Sequence, residues 1–286
     1  MSTLKPLLKY PGGKGSELSI INKNLPESFN NYIEVICLHI VFKYFINDIS
    51  RDLILLYKYV KKQDKEFFGE LNLIDGNWHK LKDIVDQYFK LLSKKYYSYK
   101  YEKCSCYNLQ TQIDRFVRNI ENKLRVPLFT FNGFDIDIFK RQLNSNLFNK
   151  MIRIKSNEQK YKRDLEIKEL RDNIECAIKS AYYMHFREIY NTLNKGHNIS
   201  PRRRVAIFLF IREYCFSSMF RFNSDGNFNV PYGGISYNKK NMDEKIEYYR
   251  NKNVINKLKK TRICCDDFAK FINKNEIKKD DFMFID

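Results

Sequence analysis

Short apolar runs near both ends of this chain of 286 residues are typical of buried β-strands. Two runs, Tyr32–Ile36 and Tyr44–Ile46, lie near the N-terminus, and two others, Thr261–Cys265 and Phe282–Ile285, lie near the C-terminus. Ser50 follows the second run and predicts the N-cap of a helix. Strands and helices that alternate in this way predict an α/β sheet built from both ends of the chain.

The middle of the chain, residues 61–260, has the periodicity of helices. Apolar side chains recur at three- and four-residue spacing along two stretches: Trp78, Leu81, Val85, Tyr88, Phe89 and Leu92 in the first, and Leu109, Ile113, Phe116, Val117, Ile120 and Leu124 in the second. Such stripes are more typical of a packed core than of a cofactor pocket. A further helix is predicted to begin at Ser200–Pro201 and to be apolar throughout Val205–Ile211. We therefore expect a mainly helical block between the two halves of the sheet.

A β-hairpin is predicted at about residues 220–236, where Ser224–Asp225–Gly226 forms a turn sequence between two aromatic runs. Amide, aromatic and guanidinium groups cluster around this turn. Such groups contact base edges in DNA grooves or stack on bases. A hairpin that served only to pack against the protein would seldom display this set, so it is the candidate nucleic-acid contact.

Candidate chemistry lies at the predicted carboxyl ends of two strands. Asp48 follows the second strand, and Asp286 follows the last. In open α/β sheets, ligands bind at this edge. Near the N-terminus, Pro11–Lys14 is a Pro-Gly-Gly-Lys turn whose glycines would let the backbone approach a ligand closely. The turn lacks the spacing of a P-loop.

Composition narrows the function classes. The net charge of +18 favours a polyanionic partner such as nucleic acid, although a lysine-rich surface without such a role would give the same number. The seven cysteines and four histidines have no spacing typical of a zinc site, and we expect no bound metal. No window holds the ~18 apolar residues that a membrane span requires, and no secretory leader is evident, so a cytoplasmic protein is expected.

Four stretches of the sequence together resemble the Dam-type adenine-specific DNA methyltransferases. They are residues 8–14, residues 47–54, residues 212–234 and residues 281–286, and their order and spacing agree with the family over nearly the whole chain. The stretch Phe220–Gly233 is the most specific of them. The resemblance implies an α/β fold with an incomplete Rossmann-like methyltransferase sheet, formed by residues 1–60 and 261–286. It also implies that residues 61–260 are an inserted, mainly helical target-recognition region that carries the hairpin.

The resemblance implies methyl transfer from S-adenosylmethionine to the exocyclic amine of an adenine that is flipped out of double-stranded DNA. Asp286 matches the first residue of the family's Asp-Pro-Pro-Tyr motif, which implies a catalytic and cofactor-binding role. Tyr10 and Lys14 match cofactor contacts near the N-terminus. Asp48 matches the acid that binds the ribose hydroxyls of the cofactor.

The resemblance also implies which residues contact DNA. Arg221, Phe222, Asn223 and Asn229 fall on the hairpin that faces the duplex in this family. An aromatic side chain there can wedge into the base stack as the target adenine leaves it. These four residues are the predicted DNA-binding set.

The chain departs from the family after the first predicted strand. The family has a glycine-rich loop there, whereas Glu34 is followed by Val35–Phe42, which contains no glycine. If the first strand ends near Val35 and the second begins near Tyr44, about eight residues connect the two strands. A helical crossover needs ~10–12 residues. We therefore expect no helix beneath the cofactor and an impaired cofactor pocket.

A second departure is that the given sequence stops at Asp286, before the family's Pro-Pro-Tyr. Both departures together predict an adenine methyltransferase that is impaired or inactive. Two alternatives stay open: a non-catalytic DNA-binding remnant, and one half of a split enzyme completed by a downstream C-terminal fragment. A partner restriction endonuclease is compatible with either.

Overall fold

The computed structural model of the chain describes residues 5–8, 20, 23–28, 30–34, 44–121, 124, 135–193, 199–275 and 278–284. Its strands are β1 (Tyr32–Glu34), β2 (Tyr44–Asn47), β3 (Thr261–Cys264) and β4 (Phe282–Phe284). Its α-helices are α1 (Arg51–Lys62), α2 (Lys65–Lys100), α3 (Cys106–Asn119), α4 (Ile136–Tyr161), α5 (Ile167–Leu193), α6 (Pro201–Tyr214), α7 (Asp243–Arg250), α8 (Lys252–Lys259) and α9 (Phe268–Lys274). The four predicted strands and the mainly helical middle are therefore confirmed.

The strands pair in parallel in the order β3-β2-β1-β4. In register, Ile33 of β1 lies between Phe45 of β2 and Met283 of β4. β1 and β2 are direct neighbours although only residues 35–43 connect them. The prediction that no crossover helix forms falls on those residues, which lie outside the described ranges. Because all four strands run in one direction, their carboxyl ends share one edge of the sheet.

Both faces of the sheet are covered by helices. Successive residues of a strand point to opposite faces, and β2 follows this rule. Phe45 packs edge-to-face on Phe271 of α9, with ring centroids 6.4 Å apart, beside the buried Ile33. Ile46 instead joins the larger core that contains Leu53 of α1 and continues through the helices. The sheet thus lies between α9 on one face and the larger core, which is otherwise formed between helices, on the other.

A buried carboxylate joins three helices beside the sheet. Asp52 of α1 accepts a hydrogen bond from the Tyr190 hydroxyl of α5 (2.7 Å) and another from Arg204 Nε of α6 (2.8 Å). Asp52 is only 5% exposed, and a buried carboxylate is costly unless it is paired in this way. These bonds fix the helix that follows β2 to the helical block.

Trp78 of α2 lies at the centre of the helical core and is fully buried. Its ring contacts those of Phe210, Tyr214 and Tyr232, with centroids 5.8, 4.5 and 5.8 Å away. Its indole N–H donates to the Lys240 carbonyl (2.9 Å). Since Tyr232 lies on the segment that returns from the predicted hairpin, this cluster ties the base of that segment to α2 and α6.

Helix α6 is buried from Val205 to Tyr214, as its continuous apolar run predicts, whereas its first turn is at least partly exposed. Residues Val205–Ile211 are all at most 1% exposed. The Ser200 hydroxyl accepts a hydrogen bond from the Arg203 N–H (3.2 Å), and Pro201 occupies the first turn, so the predicted cap is confirmed. No helix in the described part of the chain is long and apolar enough to cross a membrane.

The imidazole of His185 is buried in the same core. It lies between the rings of Phe139 and Phe186, and its Nε2 accepts a hydrogen bond from the Asp135 N–H (3.1 Å). Burial lowers the pKa of His185 to about 3, because an imidazolium there would lose its hydration. His185 is therefore a neutral acceptor in the folded protein at neutral pH.

This pKa makes the stability of the fold depend on pH. The unfolded chain exposes His185 with a pKa of about 6.5, so between pH ~6.5 and ~3 it binds a proton that the folded chain does not. The free energy of unfolding should therefore fall as the pH falls through this window. The variant His185→Gln lacks this contribution, so the wild type should lose stability relative to it by up to about 1.4 kcal/mol per pH unit. Urea titrations at pH 7, 6, 5 and 4 measure the difference, and a gap that does not change with pH would contradict it.

Candidate functional site

Asp48 lies at the carboxyl edge of the sheet, directly after β2. It is partly buried, and its Oδ1 accepts a hydrogen bond from the Ser50 N–H (2.6 Å) at the start of α1. Burial raises the pKa of Asp48, and the hydrogen bond from Ser50 opposes that shift. No other hydrogen bond to this carboxylate is made by the described residues. Its second oxygen can therefore accept a hydrogen bond from a ligand hydroxyl.

Asn47, the residue before Asp48, fixes the position of the sheet edge at which Asp48 lies. Asn47 donates through Nδ2 to the Asp266 carbonyl (2.9 Å) and accepts at Oδ1 from the Asp266 N–H (3.0 Å). This two-way bond joins the end of β2 to the segment that follows β3. A polar residue at the end of a strand was the only signal of this bond before the fold was known, because the partner is far away in the chain. Asn47 is thus a positioning residue for Asp48.

The remaining predicted cofactor and catalytic residues, Tyr10, Lys14 and Asp286, lie outside the described residues, as does the glycine-free run after β1. The described chain ends at Phe284, which pairs with Glu34 across the edge of the sheet. The structure therefore brings the carboxyl ends of β1, β2 and β4 to one edge and gives geometry for Asp48 alone among the four cofactor-site predictions.

Two phenols hold the chain shortly before Tyr10. The hydroxyls of Tyr248 and Tyr249, both on α7, donate to the carbonyls of Lys5 and Leu7. Leu7 is fully buried in the main core. The sequence reasoning missed these anchors, since two adjacent tyrosines on a short helix do not indicate partners 243 and 242 positions away.

Residues 221–229 fold back on themselves around a tight turn. Phe222 and Phe228 form an antiparallel bridge, and the Asn223 N–H donates to the Asn227 carbonyl (2.9 Å). The Asn223 side chain closes the turn, because its Oδ1 accepts from the N–H groups of Asp225 (3.1 Å) and Asn227 (2.9 Å). Gly226 adopts a positive φ of 72° there, a conformation that favours glycine. The predicted turn Ser224–Gly226 is thus where the chain reverses.

The four predicted DNA-binding residues come together on this turn. Arg221 Nε donates to Asn229 Oδ1 (2.9 Å) across the two arms. Phe222 is 37% exposed and packs edge-to-face on Phe220 and Phe228, with centroids 5.1 and 5.6 Å away. The guanidinium of Arg221 and the ring of Phe222 are both exposed to solvent, while Asn223 is largely committed to the turn.

A row of side chains on α5 holds the returning arm, residues 228–230. Asn191 donates through Nδ2 to the Phe228 carbonyl (3.0 Å) and accepts at Oδ1 from the Phe228 N–H (2.8 Å). The Val230 carbonyl accepts from the Tyr183 hydroxyl (2.8 Å) and from Arg187 Nη1 (3.0 Å). These three residues are spaced four apart, so they lie on one face of the helix. The sequence analysis did not predict this row. The pattern that could have indicated it is a tyrosine, an arginine and an asparagine spaced four residues apart on one predicted helix.

Arg212 holds the arm that approaches the turn. It is 1% exposed, and its Nη1 donates to the carbonyls of Ser218 (2.9 Å) and Met219. Its guanidinium also lies over the Phe220 ring, 4.5 Å from the centroid. A buried arginine is therefore used to fix backbone rather than to contact a ligand.

One group of possible metal ligands occurs among the described residues. Asp75, His79 and Asp243 have ligand atoms within 4.8 Å of one another. Asp75 Oδ1, however, already accepts hydrogen bonds from the Tyr214 hydroxyl and the Met242 N–H, both at 3.2 Å. The group therefore forms a polar contact between α2, α6 and the start of α7.

Comparison with known proteins points to one family. Residues 143–286 match the profile of the D12 class N6 adenine-specific DNA methyltransferases. The chain is also 31% identical over 122 residues to the Type II methyltransferase M.MjaIII of Methanocaldococcus jannaschii. That similarity covers 42% of this chain and 40% of the relative, so the chain spans less than half of the curated protein that it matches.

The match to the family profile covers half of the chain. It contains the anchoring helix α5, the turn at residues 221–229, β3 and β4. These are the elements in which the aromatic, amide and arginine side chains are brought together. The chain belongs to the D12 class N6 adenine-specific DNA methyltransferase family.

Proposed function

We propose that the chain acts as an adenine-specific DNA methyltransferase, or derives from one, and that it transfers a methyl group to the exocyclic amine of an adenine flipped out of duplex DNA. The observation that carries this proposal is the turn at residues 221–229, which is braced against α5 and exposes both Arg221 and Phe222 to solvent. Family membership supports the class of reaction. S-adenosylmethionine is the proposed cofactor and supplies the methyl group when bound.

We propose that the strands of the sheet belong to one domain and the helical middle of the chain to another. Residues 1–60 and 261–286 would form the methyltransferase domain, and residues 61–260 would form the target-recognition region. The parallel order β3-β2-β1-β4 supports a Rossmann-like sheet, because doubly wound nucleotide-binding folds begin with this order. Their ligands bind at the carboxyl ends of the strands.

The residues at that edge fit part of the proposed cofactor. Asp48 offers an oxygen that the described residues leave available, and a carboxylate after the second strand is the group that binds ribose hydroxyls in such folds. Tyr10 and Lys14 are proposed to contact the cofactor from the N-terminal segment, which Tyr248 and Tyr249 anchor a few residues earlier.

Asp286 is the proposed catalytic residue. A carboxylate that accepts a hydrogen bond from the adenine amine increases electron density on that nitrogen, and this makes the nitrogen a better nucleophile. Its sequence position, two residues beyond β4, supports a location at the carboxyl edge near Asp48. Asp286 is also proposed to contact the cofactor.

The run Val35–Phe42 fits the proposed cofactor poorly. A glycine-rich loop lets backbone lie directly against a bound nucleotide, whereas every residue of this run carries a side chain. We infer that cofactor binding is weakened, so the isolated chain is impaired in methyl transfer. The same observation, with the net charge of +18, favours non-catalytic DNA binding as the second candidate function.

DNA binding should depend on the turn at residues 221–229. Removing Arg221 (Arg221→Ala) should weaken binding and reduce the salt slope of log K by about 1, the effect of one lost phosphate contact. Phe222→Ala should cost roughly 1–3 kcal/mol if the ring stacks on a base. Fluorescence anisotropy with a labelled duplex at two salt concentrations measures both.

Tyr161→Ala is a control for this experiment, because Tyr161 is also an exposed aromatic residue and is the last residue of α4, outside the turn. Its binding should equal that of the wild type. Equal losses in Tyr161→Ala and Phe222→Ala would contradict a specific role for the turn.

Cofactor binding and methyl transfer should be weak. We expect no transfer of labelled methyl groups to DNA above a no-enzyme control, from a preparation that binds DNA. The residual binding of S-adenosylmethionine should fall about tenfold in Asp48→Ala, the value of one hydrogen bond to a charged group at ~1.4 kcal/mol.

The matched control for Asp48→Ala is Asp225→Ala, which removes an exposed carboxylate from the turn and should leave cofactor binding unchanged. Turnover above background by the wild type would refute the proposed impairment. DNA binding without turnover would favour the second candidate function.

A further inference from the structure

A groove of about 680 Å³ lies at the end of α2 that is remote from Trp78. Three lysines line it, Lys90, Lys94 and Lys103, together with two tyrosines and two serines, and no acidic residue lines it in the described part of the chain. It lies in the part of α2 that precedes the residues matched by the family profile. Nothing in the proposed cofactor site or turn uses it.

The three lysines of the groove are exposed and make no ion pairs within the described part of the chain. Lys100, six residues beyond Lys94 on α2, does make ion pairs. It contacts Glu158 (3.1 Å) and Asp164 (2.8 Å) and is mostly buried. The positive charge of the groove is therefore not balanced locally, whereas the adjacent lysine is committed to the fold.

The other side chains of the groove are of the kinds that contact phosphates. Tyr97 and Tyr101 stack with an interplanar angle of 13° and centroids 6.1 Å apart, and Tyr101 is 59% exposed. Lysine, serine and tyrosine side chains supply many of the hydrogen bonds that proteins make to the DNA backbone. A concave surface whose described lining consists of these three residue types is chemically suited to a run of phosphates.

The spacing along α2 relates the groove to the turn at residues 221–229. Trp78 contacts Tyr232 at the base of that segment. Lys94 follows Trp78 by 16 positions, which is about 24 Å along the helix axis at ~1.5 Å per residue. A duplex rises ~3.4 Å per base pair, so this axial component alone corresponds to about seven base pairs, and the full separation is at least as large.

We propose that this groove is a second DNA contact, which binds the phosphate backbone of duplex DNA beside the segment held at residues 221–229. The contact is independent of base sequence, because only phosphates are contacted. The inference rests on the proposed function, in which Arg221 and Phe222 make the primary contact with DNA.

The test compares two triple variants of the whole chain. The groove variant is Lys90→Gln with Lys94→Gln and Lys103→Gln. The control variant, Lys252→Gln with Lys259→Gln and Lys260→Gln, removes the same charge from exposed lysines on and just after α8, at the amino end of β3. Fluorescence anisotropy measures the binding of a labelled hairpin with a duplex stem of about 6 base pairs and of a labelled random-sequence duplex of about 30 base pairs, lengths below and well above the separation of about seven base pairs.

We expect the groove variant to lose on the order of tenfold in affinity for the longer duplex, with a salt slope reduced by about 2–3, as three lost phosphate contacts require. The same variant should bind the shorter duplex within about twofold of the wild type, since a short duplex at the primary contact does not reach the groove. The control variant should resemble the wild type on both.

Other outcomes overturn the inference. Wild-type affinity of the groove variant for the longer duplex would do so, as would an equal loss in the control variant, which would indicate long-range charge alone. Displacement of the longer duplex by polyglutamate from the wild type but not from the groove variant would assign the groove to an acidic protein. If Arg221→Ala and Phe222→Ala bind normally while the groove variant fails, the proposed primary contact is wrong and the groove itself is the main DNA site.

Discussion

The hydrogen bonds between α5 and the backbone of residues 228–230 are the interaction on which the proposed recognition surface depends. A two-stranded ribbon is marginally stable by itself. Here Asn191 pairs with both backbone groups of Phe228, much as a neighbouring strand would, and Tyr183 and Arg187 hold Val230. The arm opposite is held by Arg212. The turn is therefore presented by a rigid helix, whose own position is fixed by the aromatic core around Trp78.

The same helical block also fixes the sheet edge at which chemistry is proposed. Asp52, in the first turn of α1, is bound by Tyr190 of α5 and Arg204 of α6. Asp48 lies four residues earlier in the chain, and Asn47 joins the end of β2 to the segment after β3. Helix α5 thus contacts both the turn that would bind DNA and the helix that follows the candidate cofactor acid. This arrangement would keep the two at a defined separation.

The sequence predicted the elements better than the contacts between them. Apolar periodicity located the strands, the stripe through Trp78 and the buried helix α6, since burial imposes that periodicity directly. The turn at Ser224–Gly226 was predictable because its glycine takes a positive φ. The sequence analysis did not predict the anchoring roles of Asn191, Asn47 and Arg212. Each of them binds backbone groups, and a backbone partner cannot be identified from residue types in the sequence. Asp48 was found only through its place after a strand and the family resemblance, and Tyr10, Lys14 and Asp286 stay predictions.

Hydrogen exchange of backbone amides at the turn, compared between the wild type and Asn191→Ala, tests the central claim most directly. The amides of Asn223 and Asn227 do not contact Asn191, since they donate within the turn itself. If the turn is rigid only because α5 braces it, these amides should exchange faster in the variant together with Phe228, while amides in the centre of α6 keep their protection. Faster exchange at Phe228 alone, with Asn223 and Asn227 unchanged, would contradict the account.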